Sequence, residues 1–140
     1  MSHVFDSNIL IYLLNNQLPE PARNYITQAI HTQASISVIT RIEILGWSGH
    51  PDPIPAMVTD LLKKVREQPL TEAIIQQCID LRRQQSITIP DAIIAATALH
   101  LQMPLVTRNT DDFKNIEDLS LINPFDLPTE NINPEETPNA

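Results

Sequence analysis

Short apolar runs alternate with longer amphipathic segments along most of the chain, and this alternation predicts strands and helices in turn. The apolar runs predict strands at residues 4–5, 34–39, 66–70, 105–107 and 119–122. Apolar residues at helical spacing predict helices at residues 9–14, 19–30, 40–47, 56–65, 72–83 and 92–101. Strands that alternate with helices indicate a parallel sheet covered by helices on both faces. The predicted fold class is therefore α/β.

The length of the chain and its C-terminal composition predict one domain followed by a tail. A chain of 140 residues suits a single core, which we assign to residues 1–127. Residues 128–140 are acidic, rich in Pro and offer almost nothing to bury, so we predict a disordered tail. No apolar run approaches the roughly 18 residues of a membrane span, and we see no signal peptide. The single cysteine, Cys78, is expected to be a buried thiol and favours a cytoplasmic location.

Acidic residues stand where predicted strands give way to helices or turns. They are Asp6, Glu43, Asp91 and the neighbouring pair Asp111 and Asp112. In an α/β sheet, functional groups gather outside the carboxyl ends of the strands, so we expect these carboxylates to lie near one another. Hard divalent cations such as Mg²⁺ prefer oxygen ligands of this kind. The pattern favours metal-assisted phosphodiester hydrolysis as the first hypothesis.

Each acidic position also has a purely structural interpretation. Asp6 suits a helix N-cap, and residues 40–43 match a capping box in which Glu43 reaches back to the cap amide. Asp91 suits the first turn of a helix, where a negative charge favours the helix dipole. Asp111 and Asp112 suit a turn. These interpretations do not explain why a carboxylate follows so many strands.

The net charge of −8 argues against a nucleic-acid substrate, because most proteins that bind nucleic acids are basic. Two facts weaken this objection. Three of the acidic residues lie in the predicted tail, and bound metal ions would neutralise clustered carboxylates. Arg41 and Arg108 stand beside the acidic motifs, where they are placed to contact substrate phosphates.

Six segments together resemble the PIN domain, and most closely the VapC toxins of bacterial toxin–antitoxin pairs. They are residues 5–12 (FDSNILIY), 37–46 (SVITRIEILG), 81–82 (LR), 87–98 (ITIPDAIIAATA), 105–113 (LVTRNTDDF) and 121–125 (LINPF). The resemblance implies a three-layer α/β/α fold with a mainly parallel central sheet. It also implies an endoribonuclease that requires Mg²⁺ or Mn²⁺, a cognate antitoxin as partner, RNA as substrate, and a homodimer.

The resemblance assigns roles to individual residues. Asp6, Glu43 and Asp91 match the family's first three acidic positions and are the expected metal ligands. Asn8 and Thr107 match its supporting polar positions. The fourth acidic position is Asn109 in this chain, which is a departure from the family pattern. Either Asp111 or Asp112 substitutes for it, with Asp112 favoured because the neighbouring Phe113 is expected to anchor the loop.

Two other functions stay open on the sequence. A PIN domain that has lost activity and serves only for binding is allowed by Asn109. A metal-dependent phosphatase built on an Asp-x-Asp motif after the first strand is disfavoured, because the third position of that motif is Asn8.

Overall fold

A computed structural model describes residues 2–128 of the chain. Five strands form one sheet: β1 (His3–Phe5), β2 (Ala34–Ser37), β3 (Arg66–Gln68), β4 (Leu105–Val106) and β5 (Leu121–Ile122). Six helices connect them: α1 (Ser7–Leu14), α2 (Glu20–Thr32), α3 (Val38–Leu45), α4 (Ala56–Lys64), α5 (Glu72–Gln84) and α6 (Ile89–Leu101). Two short 3-10 helices cover Thr110–Asp112 and Pro124–Asp126.

The sheet has the order β3-β2-β1-β4-β5, and every neighbouring pair of strands is parallel. All five carboxyl ends therefore lie at one edge. Alternate residues of each strand point to opposite faces of the sheet, and each face has its own apolar core. Phe5 packs in one cluster with residues of α1, α2 and α4, whereas Val4 packs in the other with residues of α5 and α6. The three-layer α/β/α prediction is confirmed.

Helix α6 lies in the centre of the second core. Its residues 92–98 are all buried, as expected for a helix that is apolar almost all round. Thr97 is the one polar side chain in that run, and its hydroxyl donates to the carbonyl of Ile93 at 2.7 Å. The burial of α6 fixes the position of its N-terminus, which carries Asp91.

The boundary between β2 and α3 differs from the prediction. The β-branched residues up to 39 predicted strand, but β2 ends at Ser37 and helix begins at Val38. The side chain of Ser37 accepts a hydrogen bond from the amide of Thr40 at 3.2 Å, which caps the helix. Thr40 was expected to open the helix as a capping residue, and that prediction is wrong because Ser37 takes this role.

Other differences are smaller. Helix α6 starts at Ile89 with Thr88 as its cap, three residues before the predicted start. Strand β5 is limited to two residues. Cys78 is only half-buried, packed against the second core. Within residues 2–128, no helix is long and apolar enough to cross a membrane. The predicted disordered tail, apart from Pro128, lies outside the described residues.

Candidate active site

The sheet order creates a switch point between β1 and β4. From β1 the chain proceeds outward to β2 and β3, then returns to the other side of β1 to form β4 and β5. In open parallel sheets, ligands bind in the crevice outside the strand carboxyl ends at such a point. Asp6 directly follows β1 and Thr107 directly follows β4. The two residues therefore stand on either side of the expected crevice.

Both carboxylate oxygens of Asp6 are held in place. The residue is 6% exposed, and its Oδ1 accepts from the amide of Ser7 at 2.7 Å, so that Asp6 caps α1. Its Oδ2 accepts from the Thr107 hydroxyl at 2.8 Å. The oxygen of that hydroxyl in turn accepts from the amide of Asn109 at 3.0 Å. Asp6 is thus both the predicted helix cap and a rigidly oriented acidic group.

Glu43 reaches the site from the middle of α3. Its Oε1 accepts a short hydrogen bond from the hydroxyl of Ser7, at the first position of α1. The same Ser7 hydroxyl lies 3.3 Å from Oγ1 of Thr40, which lies 3.3 Å from the hydroxyl of Ser37. This chain of hydroxyls joins the starts of α1 and α3. Glu43 therefore contacts Ser7, the neighbour of Asp6. The predicted capping box, in which Glu43 reaches back to the cap amide, is wrong.

Asp91 lies in the first turn of α6. Its amide donates to the hydroxyl of the cap residue Thr88 at 3.3 Å, and its side chain is half-buried. The carboxylate therefore sits at the positive end of the helix dipole, as the structural interpretation of Asp91 also required. The same side chain lines a cavity shared with Asp112.

The acidic side chains influence one another electrostatically. Burial raises the pKa of Asp6 to about 6, although its hydrogen bonds from Thr107 and Ser7 oppose the rise and the charges of Asp91 and Glu43 add to it. Burial likewise raises the pKa of Asp91, and the charges of Asp112 and Glu43 add to that rise. Carboxylates that raise one another's pKa repel each other when no cation is bound between them. Perturbed acids in a cleft are typical of functional sites.

The two acidic residues after β4 differ in their surroundings. The Asp111 side chain is 90% exposed and lies 3.6 Å from the ammonium of Lys114. Asp112 is the residue of this pair whose charge acts on Asp91. Phe113, directly after it, is 1% exposed and belongs to the second core. The predicted anchoring of the loop by Phe113 is confirmed.

Both arginines beside the acidic motifs already have partners in the fold. Arg41 forms an ion pair with Glu67 of β3, with Nη2 to Oε2 at 3.2 Å. The guanidinium of Arg108 lies 4.1 Å from the centre of the Phe125 ring and donates to the Tyr12 hydroxyl at 3.3 Å. These contacts orient the two side chains, which both remain exposed. Asn8 and Asn109 are exposed as well.

The donor set suits a hydrated divalent ion better than a closed metal cage. Within residues 2–128, no three acidic, His or Cys side chains converge closely enough to enclose a metal. Mg²⁺ commonly uses one or two carboxylates and keeps several water ligands. The oxygen chemistry of Asp6, Glu43 and Asp91 matches that preference. A cation would relieve the repulsion that adds to the effect of burial on the pKa of Asp6 and of Asp91.

Sequence reasoning missed Ser7. It lies between Asp6 and Asn8 and is 4% exposed, and its amide and hydroxyl contact two of the acidic side chains. The available signal was its position directly after a capping aspartate, at the start of a helix, where the backbone amides have no partner within the helix. The link from its hydroxyl to Glu43, 36 residues away in sequence, depends on the packing of α1 beside α3.

Comparisons with known proteins give consistent matches. The family model described as "PIN domain" matches residues 3–119. A chain of a toxin–antitoxin complex from Klebsiella pneumoniae is 29% identical, with a TM-score of 0.70, covering 89% of this chain and 99% of that one. A chain of VapBC-1 from nontypeable Haemophilus influenzae is 26% identical, with a TM-score of 0.73 and coverages of 89% and 98%. A chain of DNA-bound VapBC from Salmonella typhimurium, at 20% identity, a TM-score of 0.74 and coverages of 87% and 97%, shares the fold. No curated protein matches.

Proposed function

The chain belongs to the PIN domain family and is VapC-like, and from this premise we propose that it is a metal-dependent endoribonuclease that acts as the toxin of a toxin–antitoxin pair. The observation that carries the proposal is the buried Asp6 at the switch point of the sheet. Both of its oxygens are fixed, and burial raises its pKa, with the charges of Asp91 and Glu43 adding to the rise. A structural cap would not require this group of acids around it.

Asp6, Glu43 and Asp91 would hold the Mg²⁺ or Mn²⁺ ion. When bound, such an ion lowers the pKa of a coordinated water and stabilises charge on a phosphodiester. The protein's own contribution is orientation. Thr107 fixes one oxygen of Asp6, and Ser7 fixes the other through its amide while its hydroxyl holds Glu43. These fixed groups reduce the reorganisation that binding and reaction require.

The remaining polar residues of the site bind substrate or support the acids. Asp112 serves in place of the family's fourth acidic residue, since its charge acts on Asp91. The side-chain carboxamide of Asn109 would orient a water molecule but adds no charge. Asn8 supports the carboxylates from the start of α1. Arg41 and Arg108 contact substrate phosphates from positions fixed by Glu67 and Phe125.

The direct test is cleavage of single-stranded RNA by the purified chain. We expect cleavage with Mg²⁺ or Mn²⁺ and none with a chelator. Asp6→Asn and Asp91→Asn should abolish it while circular dichroism stays unchanged. Asp80→Asn, an exposed change on α5 outside the site, is the matched control and should retain full activity. RNA cleavage that persists in EDTA would rule out the metal mechanism.

The same assay separates the alternative functions. Asn109 and the open arrangement of the acids favour an inactive PIN binding module. Such a module would bind RNA or a protein partner without metal-dependent cleavage. A phosphatase would hydrolyse a generic phosphomonoester and leave RNA intact. Cleavage of RNA without phosphomonoester hydrolysis supports the proposed function over both.

The proposed toxin role has its own test. Expression of the chain alone should arrest bacterial growth, and co-expression of a small partner encoded beside it should relieve the arrest. The solved structures that support this role include toxin–antitoxin complexes. Growth arrest by the Asp6→Asn variant as strong as by the wild type would disconnect toxicity from the proposed chemistry. We also propose that the protein acts in the cytoplasm, as the sequence predicts.

We further propose that the chain forms a homodimer. The supporting observation is a contiguous apolar groove lined by Leu70, Ile75, Ile79 and Ile89, all of which are exposed. Light scattering should give twice the mass of the 15.8 kDa chain at micromolar concentration. A mass of one chain under those conditions would reject the dimer.

A further inference from the structure

A cavity of about 300 Å³ opens beside Asp91, between the α5–α6 connection and the 3-10 helix after β4. Gln85 and Ser86 line it from one side, and Asp112 and Asn115 line it from the other. Its volume lies at the low end of the range for small-molecule sites, which suits one planar ring system better than a whole nucleotide. None of the roles assigned above explains why a polar cavity of this size adjoins the site.

Three of the side chains that line the cavity are free to bind a ligand. Within the part of the chain that the structure describes, the side chains of Gln85, Ser86 and Asn115 form no hydrogen bond with protein groups. Thr88, by contrast, is occupied as the cap of α6. The free groups are two carboxamides and one hydroxyl, each of which can donate and accept. The carboxylates of Asp111 and Asp112 add acceptors only, and Asp91 is the proposed metal ligand.

The charge of the cavity discriminates between the parts of an RNA chain. No basic side chain is among the described residues that line it, whereas three aspartates are. Away from a metal ion at Asp91, the carboxylates of Asp111 and Asp112 would repel a phosphate group. A neutral ligand rich in N–H donors would instead find more acceptors than donors. Among the parts of RNA, a nucleobase with an exocyclic amino group has this character, and uracil has the fewest donors to offer.

We propose that this cavity is a nucleobase subsite, which holds a base of the RNA substrate that carries an exocyclic amino group. The proposal rests on the proposed ribonuclease function and gives it a source of sequence preference. Sequence-specific recognition of RNA commonly reads the edges of bases in single-stranded segments, by hydrogen bonds of this kind. Gln85 and Asn115 contact the base edge, and Asp91 joins the subsite to the reacting phosphate. Gln85, Ser86 and Asn115 are therefore specificity-determining residues and not catalytic ones.

The first experiment measures binding without cleavage. The ¹⁵N-labelled full chain is titrated in EDTA with guanosine, adenosine, cytidine, uridine and inorganic phosphate, and amide shifts are followed by NMR. The amides of Gln85, Ser86 and Asn115 should move with the three amino-bearing nucleosides, move less with uridine, and stay in place with phosphate. Equal shifts with uridine, shifts with phosphate, or no shifts at these amides would overturn the proposal.

The second experiment measures cleavage preference. The wild type and the Gln85→Ala and Asn115→Ala variants are incubated with Mg²⁺ and an RNA library, and the cut sites are sequenced. The wild type should prefer an amino-bearing base at one position near the cut, and each variant should weaken that preference by about tenfold. Gln84→Ala, an exposed change one residue away on α5, should leave the preference intact.

The outcomes separate the subsite from the ribonuclease function. Cleavage without base preference, or a preference unchanged by both variants, refutes the subsite and leaves the ribonuclease function standing. Nucleoside binding in the cavity by a chain that cleaves no RNA supports a base site and refutes the ribonuclease function. Thermal melting of both variants checks that any loss of preference does not come from unfolding.

Discussion

Asp6 shows that one buried acid serves the fold and the site in opposite ways. Its hydrogen bonds cap α1 and connect β1 to Thr107, which stabilise the fold. Its ionised form nevertheless lies among other carboxylates, in a position that is nearly shielded from water. A group held in this way is unfavourable in the metal-free chain and becomes useful once a cation is bound.

The pKa of Asp6 predicts a pH-dependent stability. Its pKa rises from 3.8 to about 6 on folding. The side chain is therefore protonated and does not oppose folding below pH 3.8, and this stability is lost as the pH rises through 6. At pH 8 the ionised side chain therefore opposes folding by about 2–3 kcal/mol. Asp6→Asn should raise the free energy of unfolding of the metal-free chain by about that amount at pH 8, and by little at pH 3.5.

Urea denaturation at the two pH values, in EDTA, measures this effect. Addition of Mg²⁺ should stabilise the wild type at pH 8 and have little effect on Asp6→Asn. Equal stability of the two proteins at pH 8 would show that the ionised Asp6 side chain does not destabilise the metal-free fold.

The loop after β4 supplies a second prediction at the scale of a residue. Asp112 acts on Asp91, whereas Asp111 is exposed and faces Lys114. Asp112→Asn should raise the Mg²⁺ concentration for half-maximal RNA cleavage by about tenfold, because a supporting acid is lost. Asp111→Asn should change it little, and Asn109→Asp should lower it.

Metal titration of cleavage by the three variants decides this point. Asp111→Asn is the matched control, because it removes the same charge from the neighbouring position. An unchanged midpoint for Asp112→Asn would mean that this loop supplies no acidic group, and that the site depends on Asp6, Glu43 and Asp91 alone.

The start of α3 shows what the sequence could and could not predict at the scale of an element. The alternation of strands and helices predicts that the acidic residues lie at the same edge of the sheet, because parallel strands have their carboxyl ends there. The boundary at Ser37 did not follow. Val38 and Ile39 are β-branched and favour strand, yet the cap formed by Ser37 and the packing of α3 beside α1 make them helical.

That boundary determines which way Glu43 points. With α3 starting at Val38, Glu43 lies in the second turn of the helix and its side chain reaches Ser7. Had the helix begun after Thr40, Glu43 would have stood in the first turn, occupied with the cap. The contact between Ser7 and Glu43 joins two helices, and no local pattern in the sequence records it.

Loss of the Ser37 cap should therefore affect activity as well as stability. Ser37→Ala removes the acceptor for the Thr40 amide and should lower the free energy of unfolding by about 1 kcal/mol. It should also reduce metal-dependent RNA cleavage, because the start of α3 would fray and Glu43 would lose its orientation. The measurements are urea denaturation and initial cleavage rates.

A cap of the same type on another helix provides the matched control. Thr71 caps α5 by accepting from the Ile74 amide at 3.3 Å. Thr71→Ala should cost similar stability and leave the cleavage rate unchanged where the chain is fully folded. Equal effects of the two substitutions on the rate would indicate that stability alone, and not the position of Glu43, explains the loss.

For the molecule as a whole, the net charge of −8 and the acidic site set the conditions for any partner. The proposed RNA substrate would approach against a negative field, so its cleavage should depend on Mg²⁺ bound at the site and on Mg²⁺ in solution that screens the charge. A protein partner that covers the same edge of the sheet meets the opposite requirement. It gains from positive side chains, which can take the position of the metal between the carboxylates.

We therefore expect the cognate antitoxin to bring Arg or Lys to Asp6, Glu43 and Asp91. Neutralising all three, as Asp6→Asn, Glu43→Gln and Asp91→Asn, should weaken antitoxin binding by at least tenfold, because the inserted cation would lose its partners. The loss should shrink little at high salt, since a covered ion pair is screened less than an exposed one. Isothermal titration calorimetry at two salt concentrations measures both quantities.

A second triple variant separates a local contact from the general effect of charge. Asp60→Asn, Asp80→Asn and Glu117→Gln remove the same number of negative charges from exposed positions away from the three acids. This control should weaken binding slightly, and only at low salt, because its charges act through solvent. If both triple variants lose affinity equally, the antitoxin responds to the overall field and inserts no cation at the site. If neither loses affinity, the antitoxin is held by other surfaces of the chain, and the acids serve the metal alone.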